Sequence, residues 1–368
     1  MNALYPRLHE TVNRGIGWLE SRTSVDGSFR GCEHELASYY KSLLAFAVCG
    51  KIHTGAKSLL YLRTHLRNSD GELASGESKT SISRMGINLA NYMDGWIAIG
   101  AWLLWDYELA EEVCRRLEAQ QSAKCGGVLT GPVKWAGRPR YDLSTAASCG
   151  RAFLFAGHRT AAVAAADFIV AALTHQSNPA GWLDLCFDEE WNRLDAPDPS
   201  ERTYYRFDLS RRGEKVWFPA FCSAFLCEMH QAINDPRYLA AAEEYHTFIV
   251  RCPEYISGTI ANGKAGWASG LLARSTGKPQ YAAALARIVP NVLARQRDNG
   301  EFGESPTARP ASAATAASAA APPEEAETPA SLGRRLERTA EFTVWSAEFL
   351  RMHAYGLFSG AKKGESNG

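Results

Sequence analysis

Asp26-Gly27-Ser28-Phe29 decides the reading of this sequence, because the stretch keeps returning. Its variants stand at Asp70-Gly71-Glu72-Leu73, Gly126-Gly127-Val128-Leu129, Ala180-Gly181-Trp182-Leu183, Ser257-Gly258-Thr259-Ile260 and Asn299-Gly300-Glu301-Phe302. In each, glycine permits a tight reversal and the apolar residue after it packs the loop down. A recurrence every 40 to 80 residues, roughly, marks a repeat architecture.

Working outward, an amphipathic helix precedes each signal. Leu8, Val12, Ile16 and Leu19 fall on one helical stripe, as do Leu109, Val113 and Leu117. Tyr238, Ala241, Tyr245 and Phe248 make another, and Tyr281, Leu285, Ile288 and Val292 a further one. Each stripe leaves an opposite wet face. After each signal the chain is apolar almost all round, near residues 35–50, 88–105, 142–156, 216–233, 265–275 and 338–355. A helix without a wet face is buried on both sides. Six such helices alternating with six half-buried ones describe two concentric rings, the last inner helix closing onto the first outer one. The expected fold is all-α: an (α/α)6 toroid of six inner and six outer helices, with residues 1–368 forming a single domain.

Two segments interrupt the pattern. Residues 184–213 are polar and rich in charge and proline, and as an insertion between an outer helix and its inner partner they should overhang one mouth of the barrel. Residues 305–332 are an Ala/Pro/Ser/Thr/Glu run that is expected to be a disordered loop, because it has too little apolar surface to repay ordering.

The formal net charge is zero and no long block of like charge occurs, which argues against nucleic acid or an anionic membrane as the main partner. The longest apolar runs, 96–105 and 218–227, reach about half the ~20 residues of a membrane span. Nine cysteines without a CxxC pair read as reduced thiols in a core. With polar residues directly after Met1 and hence no secretory signal, the expected location is the cytoplasm.

Asp26-Gly27-Ser28-Phe29 and Gln296-Arg297-Asp298-Asn299-Gly300-Glu301-Phe302 resemble degenerate copies of the repeat motif of squalene and hopene cyclases. The whole pattern resembles the terpenoid-cyclase and protein-prenyltransferase toroid superfamily over nearly the full chain. That resemblance implies a one-barrel member, without the second barrel of triterpene cyclases. The family's chemistry does not carry over. Neither the proton-donating DxDD nor the metal-binding DDxxD string is present, and Asp188-Glu189-Glu190 lacks the latter's spacing. The Asp, Cys and His zinc set of prenyltransferases has no evident counterpart, and Cys32 with His34 lacks a second ligand pair. Toroids of this one-barrel type also serve fungal natural-product pathways, including norbornene-forming Diels–Alder cyclisation.

In an (α/α)6 barrel the site lies where the inner helices begin. A carboxylate in an otherwise apolar helix is costly unless paired or used. Asp94 and Glu341 are the candidates for catalysis on that ground, each with a buried ion pair as the structural alternative. Glu35 and Tyr39, one turn apart, form a candidate acid pair, and Asp142 is either catalytic or a helix N-cap. Aromatic residues gathered at several inner-helix ends suit an apolar ligand. Tyr40, Tyr92, Trp96, Trp135, Tyr141, Trp217, Phe218, Trp267 and Trp345 are therefore expected to bind substrate, together with Arg84.

The function expected from these features is cofactor-independent cyclisation or isomerisation of an apolar terpenoid- or polyene-like molecule, with neither metal nor nucleotide. A pericyclic [4+2] closure fits the missing proton-donor motif, with Tyr39, Arg84 or a protonated Asp94 polarising a substrate carbonyl. A carbohydrate-active (α/α)6 enzyme using Asp94 and Glu341 as paired carboxylates is the alternative. A non-catalytic binding or scaffold protein is a third, favoured if side chains fill the cavity.

Overall fold

The recurring glycine turns are joints between helices of two rings. The computed structural model describes residues 4–76, 79, 88–133, 138–252, 262–303 and 328–357. The outer helices are α1 (Leu4–Arg22), α3 (Ile52–His65), α5 (Tyr107–Glu118), α7 (Arg159–Thr174), α10 (Pro236–Arg251) and α12 (Pro279–Leu293). The inner ones are α2 (Ser42–Val48), α4 (Ala90–Leu103), α6 (Leu143–Ala156), α9 (Trp217–Ile233), α11 (Asn262–Thr276) and α13 (Pro329–Ala354). A four-residue helix, α8 (Arg202–Tyr205), lies outside both rings. Around the inner ring α2 touches α4, α4 touches α6, and contact passes through α9, α11 and α13 back to α2. Each inner helix also packs on one outer partner, and α13 takes α1, which closes the (α/α)6 toroid.

Three turn glycines show why the motif repeats. Gly27, Gly126 and Gly300 have φ of +94°, +80° and +94°. A Cβ built on them would lie 2.2 Å from the Lys57 backbone, 2.4 Å from the Ala164 carbonyl oxygen and 2.3 Å from the Arg14 carbonyl oxygen, respectively. The turn therefore both reverses the chain and beds against an outer helix, which no residue with a side chain allows. The apolar residue that follows is sunk into the core, with Phe29, Leu73, Val128, Leu183 and Phe302 all fully buried. The copy at 257–260 lies outside the described residues.

Two boundaries differ from expectation. Leu36–Ser38 is a 3-10 turn ahead of α2 rather than the start of a continuous helix. The last inner helix begins at Pro329, so residues 329–332 are helical and not part of a loop. The cause is local: Thr328 and Ser331 form a reciprocal capping box, with proline at the first helical position. The remainder of the 305–332 segment, up to residue 327, lies outside the described residues.

The polar segment around 184–213 is ordered by two short antiparallel ladders. β1 (Tyr141–Asp142) pairs with β3 (Cys186–Phe187), and β2 (Trp182–Asp184) pairs with β4 (Arg206–Asp208). Its apolar members Leu183, Leu185, Phe187 and Phe207 are buried. All nine cysteines are free thiols. Among the described residues no helix is long and apolar enough to cross a membrane.

Candidate functional site

Tyr92 and Trp96 stand one turn apart on α4 and both point to the barrel axis. Tyr92 meets the rings of Trp217 at 5.6 Å and Phe221 at 5.9 Å, and Trp96 meets Phe221 at 5.5 Å and Trp345 at 6.0 Å. Trp267 stacks on Trp345 at 5.0 Å and reaches Phe221 at 6.0 Å. Residues from α4, α9, α11 and α13 thus build one aromatic mass. Trp96, Trp267 and Trp345 are fully buried and form its floor, whereas Trp217 is half-buried and faces the mouth. Phe218 stacks on Trp217 at 3.9 Å and receives the edge of Tyr204 from the 184–213 segment at 6.4 Å.

Into this mass runs a chain of alternating charges. Glu337 accepts from the Tyr40 hydroxyl and, at 2.9 Å, from Lys41 Nζ. Lys41 also pairs with Glu341, and Glu341 with Lys264. The Trp345 indole N–H donates to Glu341 Oε1 at 3.2 Å. Lys264 Nζ lies 5.5 to 5.6 Å from the ring centres of Trp96, Trp217 and Trp345, inside an aromatic box.

Position along the chain decides each ionisation. Burial opposes charge on both inner members, but each has two opposite neighbours. Lys264 and Lys41 hold the Glu341 carboxyl down at about 2, and Glu337 and Glu341 hold Lys41 well above the usual lysine value. Burial lowers Lys264, at the end of the chain, to about 8: it is ion-paired with Glu341 alone, and the repulsion of Lys41 adds to the effect of burial. Burial also raises the Tyr40 and Tyr92 hydroxyls, which stay protonated donors.

Gly263 makes this packing possible. A Cβ there would lie 2.1 Å from Trp345 Cδ1, so only glycine lets α11 approach closely enough for Lys264 to reach Glu341.

The structure brings together Glu341, Tyr40, Tyr92, Trp96, Trp217, Phe218, Trp267 and Trp345 from the expected set. Other members lie elsewhere. Asp94 is two residues from both Tyr92 and Trp96, about 200° round the helix. It is buried against Lys79 at 2.5 Å and near Cys149. Among the described residues its ion-pair partner is Lys79, so the buried ion pair offered as its structural alternative is the arrangement that forms. Glu35 caps the 3-10 turn through the Ala37 N–H at 3.2 Å, and it accepts from Ser75 Oγ at 3.2 Å. The Tyr39 hydroxyl donates to the Glu33 carbonyl and accepts from the Phe29 N–H, pinning the first turn signal instead of joining Glu35. Asp142 caps α6, accepting from the N–H groups of Ser144 and Thr145 at 2.9 Å each. Tyr141 faces Phe168 on the outer layer. Arg84 and Trp135 lie outside the described residues.

Sequence reasoning missed Lys264, Glu337 and Phe221 and left Lys41 without a role. The available signal was a pair of lysines at the edges of apolar helices, the same cost argument that singled out Glu341. Among the described residues no three His, Cys, Asp or Glu side chains gather as metal ligands. Asp188 is spent on its own turn, accepting from the N–H groups of Glu190 and Asn192.

No protein-family model matches the sequence, and no curated protein does. Solved structures do. The type II terpene cyclase MstE from Scytonema, in complex with geranylgeranyl dihydroxybenzoate, superposes with a TM-score of 0.58 at 14% identity. The alignment covers 96% of this chain and 100% of that one. The chain has the α/α-toroid fold. D-mannose isomerase shares it, with a TM-score of 0.62 at 12% identity over 81% of this chain and 89% of that one. So does cellobiose 2-epimerase from Bacillus thermoamylovorans, with a TM-score of 0.61 at 10% identity over 82% and 91%. These neighbours are enzymes of two kinds, terpene cyclases and carbohydrate isomerases, and at such identities the likeness is one of fold.

Proposed function

We propose that the chain is a single (α/α)6 domain acting as a cofactor-independent cyclase or isomerase on an apolar, terpenoid- or polyene-like small molecule of specialised metabolism. The observation that carries this reading is the aromatic box around Lys264. Rings from four inner helices give a shaped apolar surface, and the donors within it belong to Tyr92, Lys41 and Lys264, the Tyr40 hydroxyl being given to Glu337. An apolar chain laid against the half-buried Trp217, with Tyr92 and Phe218 packed behind it, would be held near its reactive geometry. Its carbonyl or other oxygen would be polarised by an ammonium or phenol hydrogen bond. A [4+2] closure needs no more than this, because no proton has to be transferred.

The charge chain weighs against paired-carboxylate carbohydrate chemistry. Glu341, held at about 2 by two lysines, has no proton to give near neutrality, and Asp94 is salt-bridged on another face. The test is mass-neutral conversion. Linear polyenes bearing a conjugated carbonyl are incubated with the protein and followed by liquid chromatography and mass spectrometry. A new peak of unchanged mass, reduced about tenfold or more in Tyr92→Phe, supports the reading. Turnover of sugars with no conversion of any polyene overturns it.

A further inference from the structure

Among the described residues, three of the four lysines drawn into this end of the barrel have a carboxylate partner: Lys41 with Glu337 and Glu341, Lys79 with Asp94, and Lys264 with Glu341. Lys215 is the exception. Its Nζ lies on the face of Tyr204, 3.0 Å from the ring centre, and has no hydrogen bond or ion pair among the described residues. Glu214, the adjacent acid, turns its carboxylate to Arg202 and to the Asp208 N–H at 3.1 Å. Lys215 also sits at the start of α9, where its carbonyl accepts from the Phe218 N–H at 3.0 Å. The positive end of a helix disfavours a further positive charge. Burial acts in the same direction and, against the pull of Glu214, lowers the amine to about 7. Among the described residues Glu337 and Glu201 also lie near this corner, acting on the Tyr204 hydroxyl.

The residue is nevertheless reachable, since Lys215, Tyr204 and Trp217 are each only half-buried. Tyr204 leads through Phe218 and Trp217 to Tyr92, so the amine stands at the rim of the aromatic wall. A desolvated amine that rests on a ring face and has no carboxylate partner among the described residues has the setting of a nucleophilic lysine.

We propose that Lys215 forms a Schiff base with an aldehyde carried by an apolar substrate, an inference that rests on the apolar reading of this mouth. The Nζ lone pair adds to the carbonyl carbon, and a proton passes from nitrogen to oxygen to give a carbinolamine. The C–O bond then breaks, the remaining N–H proton passes through solvent to the departing hydroxyl, and water leaves behind C=N. Hydrolysis reverses the sequence and frees the amine. With a conjugated aldehyde, protonation of the C=N nitrogen from solvent draws electrons from the adjacent alkene, which accelerates a [4+2] closure beyond what a hydrogen bond to the carbonyl gives.

The full-length protein is incubated with farnesal or with glyceraldehyde in the presence of cyanoborohydride, and the reduced adducts are mapped by peptide mass spectrometry. With farnesal, Lys215 should be labelled at least about tenfold faster than exposed lysines such as Lys124 and Lys278, with a rate that rises through neutral pH. Lys215→Arg, with an unchanged melting temperature, should abolish that adduct. Tyr204→Phe keeps the ring face and should retain it, which covers the case where the first variant fails to fold. Labelling spread over lysines according to exposure, or a fast adduct that survives Lys215→Arg, overturns the assignment. Equal labelling of Lys215 by glyceraldehyde and farnesal keeps the nucleophile and overturns the apolar reading instead.

Discussion

Lys264 and Glu341, 77 residues apart in sequence, pair at the centre of the inner ring, with the lysine boxed by tryptophans and the carboxylate shared with Lys41. Both charges are buried, so each depends on the other. The pair ties α11 to α13 and sets the ionisation of the whole cluster.

Removing the shared carboxylate should therefore be costly. Glu341→Gln leaves two buried ammonium groups short of a partner and should lose about 3–5 kcal/mol in urea unfolding. The pH dependence follows from the sign of the shift. Glu341 is held at about 2 against an ordinary 4.5, so its contribution is complete above about 4.5 and is lost as pH falls toward 2. Wild type should lose stability across that acid window more steeply than Glu341→Gln; parallel acid curves would refute the assignment.

The Asp94–Lys79 pair should behave as structure. Asp94→Ala strands a buried lysine and should cost about 3–5 kcal/mol, whereas Asp94→Leu with Lys79→Met should recover most of the loss. If the double variant is as unstable as the single, the pair is not the reason for Asp94. Catalytic rate, measured on the folded double variant, should stay near the wild-type value.

The turn glycines separate two costs. Gly71 has φ of +78° with open space beyond it, so Gly71→Ala should cost about 1 kcal/mol from backbone strain alone. Gly300→Ala adds a collision with the Arg14 carbonyl and should cost more than about 2 kcal/mol. Equal losses at the two sites would mean that the turn does not bed on α1.

His158 links α5 and α7, its two ring nitrogens each 2.8 Å from a carboxylate, those of Glu111 and Glu118. Burial lowers its pKa, but hydrogen bonds to both acids outweigh this and raise it above 6.5. The contribution is thus present at acid pH and lost as pH rises through the raised value. Because the site is partly exposed, the effect should be at most about 1 kcal/mol. Melting temperatures of wild type and His158→Gln should converge in alkaline buffer; a gap that widens there would contradict the linkage.

Much of this was legible in the sequence, for identifiable reasons. Gly27, Gly126 and Gly300 announce the repeat because a backbone collision forbids any other residue. Glu341, Tyr92, Trp96 and Trp345 were legible because polar and aromatic groups in an all-apolar helix need a use. Lys41 and Lys264 were not, since each lies near the edge of its helix, where a lysine ordinarily reaches water. Asp94 shares a short apolar stretch with Tyr92 and Trp96, but two residues along a helix turn a side chain to nearly the opposite side, and the buried ion pair offered as its alternative is what forms. Glu35 and Tyr39 misled for a related cause: their segment is a 3-10 turn, so helical spacing does not make them neighbours.

The central claim, that the aromatic mouth receives an apolar molecule, is tested most directly by tryptophan fluorescence during titration with farnesal and, separately, with a mannose oligosaccharide. Farnesal should quench the emission saturably, and Trp217→Ala, which removes the half-buried ring at the rim, should weaken its binding about tenfold. Saturable quenching by the oligosaccharide alone, or farnesal binding unchanged in Trp217→Ala, would contradict the account.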